Sequence, residues 1–225
     1  MRRCVAAVWL ACLSAAVTAA EVRGRVEVNY TGLFSVDASV RQFPVSVALI
    51  QAEGQRVIRS RHHRHRIEIQ DNRMLPAFLT VRRGDRVEFV NRDPVFHQLF
   101  SLSSGVQVEA RLDKAGASSA SGYSFTVEQP GITHFFCRIH NKSYARIDVV
   151  DTPYVQMVEP GELFEFVGLA PGQWILRLAS PAAETRMVKV NAVTSPPPLE
   201  LRLHSRGGGT GGGVVQQMRV EGLFQ

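Results

Sequence analysis

The stretch Gly131-Ile132-Thr133-His134-Phe135-Phe136-Cys137-Arg138-Ile139-His140-Asn141-Lys142-Ser143-Tyr144-Ala145-Arg146-Ile147 decides how this chain is read. Two β-rich runs, Ile132 to Phe136 and Ala145 to Val150, flank a short polar loop, which is the pattern of two strands joined by a turn. Cys137 ends the first run and His140 lies in the loop. A thiolate and an imidazole three positions apart can converge on one ion there, because a tight turn gathers side chains that an extended strand would separate. His134 has the opposite strand parity to Cys137 and is expected to face the other way. Upstream, Gly84-Asp85-Arg86-Val87-Glu88-Phe89-Val90-Asn91-Arg92-Asp93-Pro94-Val95-Phe96-His97 supplies a second imidazole just past a strand and an Asn/Asp/Pro turn. Taken alone, Cys137 reads as a small core residue. Three soft or borderline donors in matching contexts point instead to a metal.

The rest of the chain is compatible with such a site. It has 225 residues, 45% of them hydrophobic and 20% charged, within the range of ordinary globular proteins of one or two domains. Eleven prolines, 18 glycines and many short Val/Ile/Phe runs, without a long period of 3.6, predict all-β structure with almost no helix in the mature protein. Residues 1–20 read as a signal peptide: Arg2 and Arg3 precede an apolar run from Cys4 to Val17, and Thr18-Ala19-Ala20 offers a cleavage site. The run is closed too early by Glu21 and Arg23 for a stable membrane span, so a periplasmic or secreted protein is expected. A lipoprotein acylated at Cys12 is the weaker variant, because Trp9 stands where a leucine is wanted.

Residues 1–20 carry two arginines and no acid, so their removal leaves 24 basic against 20 acidic side chains. That excess does not call for a nucleic-acid partner. Cys4 and Cys12 leave with the signal, and Cys137 remains as the single cysteine of the mature chain, so no internal disulfide is possible. In an oxidising compartment such a thiol is paired between chains, buried, or held by a metal.

Over residues 64–153 the chain resembles the cupredoxins, the blue-copper family that includes plastocyanin and amicyanin. The resemblance rests on Leu75-Pro76-Ala77-Phe78, on Arg83-Gly84-Asp85 with Val87-Glu88-Phe89-Val90-Asn91, on the turn bearing His97, and on Cys137-Arg138-Ile139-His140 after Pro130-Gly131. It implies an antiparallel Greek-key sandwich with one type 1-like copper ion held near one end by His97, Cys137 and His140. Thiolate and imidazole in a trigonal set suit both copper(I) and copper(II), so little rearrangement accompanies transfer of one electron. In the amicyanin-like short loop an axial Met follows the second His by three positions; Ser143 stands there in this chain. If copper binds, the axial contact is expected to be weak and to come from a backbone carbonyl, water or Ser143.

Residues 154–204 carry further strand signals, notably Leu163-Phe164-Glu165-Phe166-Val167-Gly168-Leu169-Ala170-Pro171-Gly172-Gln173-Trp174-Ile175-Leu176, Met187-Val188-Lys189-Val190 and Leu199-Glu200-Leu201-Arg202-Leu203. They resemble the carboxypeptidase regulatory-like, transthyretin-type sandwich, in which a Gly-Leu-x-Pro-Gly-x-Trp/Tyr hairpin recurs. Arg23 to Val28 and Pro44 to Ile50 look like that family's first strands. The expected layout is therefore a discontinuous sandwich of residues 21–60 plus 154–204, a cupredoxin at 61–153 inserted in or packed with it, and a Gly-rich linker and tail at 205–225. The two-part layout is similar to exported proteins labelled methylamine utilisation protein.

Arg59-Ser60-Arg61-His62-His63-Arg64-His65-Arg66 reads first as a solvated, charge-blunted edge. Docking of an acidic redox partner, and metal capture by His63 and His65, are its alternatives. The function expected overall is one-electron transfer by an exported copper protein, with a non-redox copper-binding or metal-free recognition module as the alternative. An enzyme is not expected: multicopper oxidases need many paired histidines, and Phe136 and Arg138 flank Cys137 where those enzymes place His.

Overall fold

The computed structural model describes residues 19–29, 43–51, 61–103, 106–117 and 122–205. Most of the predicted signal peptide, residues Arg59 and Ser60 of the basic run, and the Gly-rich tail lie outside the described residues. Every regular element described is a strand, and none is a helix. In chain order they are β1 (Ala20–Asn29), β2 (Val45–Gln51), β3 (Arg64–Gln70), β4 (Arg73–Leu75), β5 (Phe78–Arg82), β6 (Arg86–Asn91), β7 (His97–Leu102), β8 (Glu109–Leu112), β9 (Gly122–Thr126), β10 (Gly131–Cys137), β11 (Tyr144–Val150), β12 (Val155–Val158), β13 (Leu163–Leu169), β14 (Gly172–Ser180), β15 (Ala183–Ala192) and β16 (Leu199–His204).

They form four sheets, ordered β13-β1-β16, β12-β2-β14-β15, β5-β11-β10-β7-β8 and β4-β3-β6-β9. Alternation along each strand decides what it buries. In β1 the even-numbered positions Ala20, Val22, Val26 and Val28 are buried, and they meet Val47 and Leu49 of β2, Phe164 and Phe166 of β13, and Trp174, Leu176 and Leu178 of β14 in one apolar cluster. A second cluster joins Ile67 and Ile69, Val87 and Phe89, Leu99, Leu112, Phe135 and Ile147 from the other two sheets. Among the described residues β1 and β2 thus pair with strands that follow residue 154, and the segment from β3 to β11 encloses its own core. β1 lies parallel to β16 with Gly24 opposite Leu199, and a Cβ at Gly24 would stand 2.5 Å from the Leu199 carbonyl oxygen. Glycine is required by that close approach.

The Gly168-to-Trp174 segment, read as a hairpin from sequence, is an arch between sheets. β13 pairs with β1, whereas β14 pairs with β2 and β15. Leu169 and Trp174 are both buried in the first cluster, and Trp174 Nε1 donates to the Ala170 carbonyl at 3.0 Å. The apolar faces of the two strands therefore oppose each other across the core rather than lying side by side, a geometry with the same residue alternation as a hairpin.

The sandwiches meet through polar side chains. All seven residues of β11 are buried: Ala145, Ile147 and Val149 belong to the second core, and the alternate positions Arg146 and Asp148 face away from it. Asp148 accepts two bonds from Arg146, at 2.6 and 2.8 Å, and a third from Arg177 of β14 at 2.6 Å. The Thr152 hydroxyl donates to the Leu49 carbonyl at 2.6 Å, fixing the chain where it passes from β11 to β12.

Candidate metal centre

The second sandwich core ends where β7 begins and β10 stops. His97 is the first residue of β7 and Cys137 the last of β10, opposite Leu99 in an antiparallel ladder. Beyond Cys137 the chain turns sharply: Arg138 N donates to Gln98 O at 3.0 Å, Ser143 N to His140 O at 3.0 Å, and Cys137 N to Ser143 O at 3.3 Å. This loop brings His140 back over the strand ends. His140 Nδ1 lies 3.1 Å from His97 Nδ1 and 3.5 Å from Cys137 Sγ. The donor atoms of His97, Cys137 and His140 all fall within 4.8 Å of one another, and these three are the one group of His, Cys, Asp or Glu among the described residues that could hold a metal ion. His97 and Cys137 are buried, and His140 is partly exposed.

Sequence reasoning did not assign Asp93. Its Oδ2 accepts from His97 Nε2 at 2.8 Å, which leaves Nδ1 as the free ring nitrogen turned to the other two donors. Asp93 also accepts the backbone N–H groups of Asp71 and Asn72 at 2.7 and 3.0 Å, while its own N–H donates to Asn91 Oδ1 at 2.9 Å. Asp71 and Asn72 form the β3–β4 turn with φ of 53° and 59°, a conformation that Asn and Asp tolerate. The signal was an Asp four residues before His97 with Pro94 between them, inside the turn already noted for the histidine.

The electrostatics follow from these contacts. Burial pushes the Cys137 thiol up, but hydrogen bonds from His97, from the backbone at Ile139 and Gln98, and from His140 outweigh it and bring the pKa from 9.0 to about 6. For His97, burial disfavours the cation, and the contacts with Cys137 and Asp93 more than offset this, so its pKa is raised. Asp93 is held below the ordinary carboxylate range: its burial opposes ionisation, and the bonds from Asn72, His97 and Asp71 prevail. One thiol whose pKa is lowered and two imidazole rings make a donor set that fits copper or zinc by its chemistry.

Ser143 is fully buried, and its Oγ donates to the Asn72 carbonyl at 2.7 Å. His134 lies apart from the cluster, with its Nδ1 3.0 Å from Tyr144 Oη. In the described part of the basic run, His63 and His65 are both bonded to Asp85. Asp85 accepts from His63 N at 2.8 Å, His65 Nε2 at 2.9 Å and Arg82 N at 3.0 Å. Beside His140, Pro94, Val95, Phe96 and Ile139 line an open depression of about 610 Å³ together with Arg111, Asp113 and Lys114, and Arg111 Nε donates to Asp113 Oδ1 at 2.9 Å. Val95, Phe96 and Ile139 are 45%, 39% and 49% exposed, so the surface beside His140 is apolar, with charges of both signs next to it.

Solved structures similar to this chain include cupredoxins and a copper-containing enzyme. Amicyanin from Paracoccus versutus matches at 19% identity and a TM-score of 0.33, over 38% of this chain and 80% of amicyanin. A purple cupredoxin from Nitrosopumilus maritimus matches at 18% identity and a TM-score of 0.32, over 38% of this chain and 99% of that protein. The copper-containing nitrite reductase of Thermus scotoductus SA-01 matches at 18% identity and a TM-score of 0.35, over 55% of this chain and 28% of the reductase. No family model and no curated protein matches the chain.

Proposed function

We propose that this chain is an exported electron carrier that binds one copper ion through His97 Nδ1, Cys137 Sγ and His140 Nδ1. The observation that carries the reading is the convergence of the single cysteine of the mature chain with two imidazoles at strand ends and a tight loop, with His97 fixed by a buried carboxylate. Copper held there supplies a one-electron couple whose potential depends on the axial donor and on hydrogen bonds to the sulfur. The protein's part is to hold the donors in place. β7 and β10 fix two of them rigidly, Asp93 sets the His97 tautomer, and the lowered thiol pKa lets Cys137 bind as thiolate at neutral pH.

On this reading residues 61–153 form the cupredoxin domain. Residues 21–60 and 154–204 form a second sandwich of carboxypeptidase regulatory-like type that serves as a platform, and residues 1–20 direct the protein to the periplasm or outside the cell. The partly exposed His140, which lines the depression, would be the ligand nearest a docked redox partner. A redox partner with an apolar patch fits the Val95-Phe96-Ile139 surface, and Lys114 beside it favours an acidic group on that partner, Arg111 being paired with Asp113. Voltammetry of the copper-loaded protein tests the function: a reversible one-electron wave supports electron transfer, and bound copper that gives no reversible wave contradicts it. Added salt should slow reduction by an acidic partner.

A further inference from the structure

One end of the second sandwich carries arginines that its own acids do not neutralise. Along the outer face of β3 and β6, Arg66 puts two nitrogens on Glu88 Oε2 at 3.1 and 3.2 Å, and Arg92 puts two on Glu68 Oε1 at 2.7 and 3.1 Å. At the start of both strands the pattern changes: Arg64 stands directly opposite Arg86, both are exposed, and like charges so placed repel. Arg86 Nη2 donates to the Ser124 hydroxyl, and among the described residues neither arginine is paired with an acid. The segment that leads into β3 is tied across the same end. Arg86 N donates to the His63 carbonyl at 2.8 Å, Arg82 Nη2 donates to the Arg61 carbonyl at 2.9 Å, and a Cβ at Gly84 would stand 2.3 Å from His62 Cε1. Of the acids here, Asp85 is buried among His63, His65 and Arg82, Asp151 pairs with Arg83 at 3.4 Å, and Glu128 is exposed. Against them stand the exposed Arg61, Arg64, Arg83 and Arg86. The metal donors lie at the other end of these strands: the turn after β3 and Asn91, the last residue of β6, both bond Asp93, the partner of His97. Six residues of extended strand separate the two ends by about 20 Å.

We propose that this arginine cap docks the protein on an anionic phospholipid surface, leaving the metal centre at the far end of the sandwich turned away from it. The inference does not depend on the copper reading above. Each guanidinium offers a planar fork that takes two oxygens of a phosphate. Because backbone bonds already hold residues 61–64 across the end of the sheet, little ordering is needed to meet a flat array of headgroups. A protein partner fits less well. None of the exposed large apolar residues described belongs to segments 61–64 or 82–86, so the cap lacks the apolar centre on which protein interfaces are built. The apolar depression beside His140 is at the other end, and docking through the cap leaves it open to a redox partner.

The test is co-sedimentation of the purified protein with lipid vesicles. Wild type is expected to bind vesicles of equal parts phosphatidylglycerol and phosphatidylcholine, to ignore vesicles of phosphatidylcholine alone, and to be released by added salt. Each arginine near such a surface is worth about 5-fold in partitioning, so the triple variant Arg61→Gln, Arg64→Gln, Arg86→Gln should bind on the order of 100-fold more weakly. A second triple variant, Arg111→Gln, Lys114→Gln, Lys142→Gln, removes the same charge away from the cap and should bind as wild type does. Circular dichroism checks that each variant is folded; should the cap triple variant not fold, Arg64→Gln alone decides, with an expected loss of about 5-fold. Equal weakening in the two triple variants would overturn the proposal, as would wild-type binding that is indifferent to lipid charge or salt. Failure of wild type to bind the mixed vesicles would overturn it too, including the case in which the protein is retained on heparin and the partner is a sulfated polysaccharide instead.

Discussion

Replacing Asp148 by Ala removes the acceptor shared by Arg146 and Arg177, whose nitrogens lie 2.6 to 2.8 Å from its two oxygens. The Asp148 side chain is 0% exposed, and those of Arg146 and Arg177 are 5% and 13% exposed. Without the anion, two guanidinium groups are left facing each other between the sandwiches. Breaking a buried ion pair in this way costs about 3–5 kcal/mol. Water reaching the less buried Arg177 puts the cost at the lower end, about 3 kcal/mol, which in a chain of this size lowers Tm by roughly 6–12 °C. Trp174 is the sole tryptophan once residues 1–20 are removed, and it is buried in the first core. Its fluorescence therefore reports that sandwich, while far-ultraviolet circular dichroism reports both. The two urea transitions are expected to coincide in wild type and to separate in Asp148→Ala as coupling across the interface weakens. A surface control, Arg66→Ala, breaks a pair whose side chains are 53% and 27% exposed and should cost less than about 1 kcal/mol. The triple replacement Arg146→Met, Asp148→Leu, Arg177→Met should regain most of the loss. An Asp148→Ala protein within about 1 kcal/mol of wild type would refute the reasoning.

Three further outcomes follow from the site and its surroundings. Asp93→Asn leaves His97 without its carboxylate partner and should weaken copper binding about 10- to 100-fold in competition with a chromophoric chelator; an unchanged affinity would deny Asp93 its orienting role. In the metal-free protein, the Cys137 thiol has a pKa of about 6 against an ordinary 9.0, so the unfolded chain binds more protons between those values. Stability from this group is fully present above pH 9 and is lost as pH falls through about 6, so the urea midpoint of wild type should rise over that range more steeply than that of Cys137→Ser. Asp85 is likewise held below the ordinary carboxylate range, its burial being outweighed by bonds from His63, His65 and Arg82. Its contribution is present above the ordinary carboxylate pKa and disappears as pH falls through the lowered value, so Asp85→Asn should flatten the acid limb of the stability curve.

Local spacing made the donor set legible. Cys137 and His140 are three residues apart on a loop, and a loop that tight leaves few ways to direct a thiol and an imidazole except toward each other. The all-β architecture was equally plain from alternation, as in Val22, Val26 and Val28. What stayed hidden depends on contacts between distant segments. Asn72 bonds Asp93 and Ser143 from a turn separated from His97 by three strands, and nothing in Asp71-Asn72-Arg73 distinguishes it from an ordinary tight turn. Arg146 and Asp148 stood in plain view as charges within a strand of otherwise apolar composition, but their partner Arg177 lies in another sheet, and period-2 alternation does not say which sheet covers a second buried face. The same limit explains Pro171-Gly172: an arch and a hairpin need the same turn residues and the same alternation, and only pairing tells them apart.

The most direct measurement is metal content together with the optical spectrum of the purified, copper-treated protein, wild type beside Cys137→Ser. One copper per chain with an intense thiolate-to-copper band in wild type, and no such band in Cys137→Ser, is the result expected from donors lying within 4.8 Å of one another. Copper absent from wild type, or bound copper whose spectrum is the same with and without the Cys137 sulfur, would contradict the account.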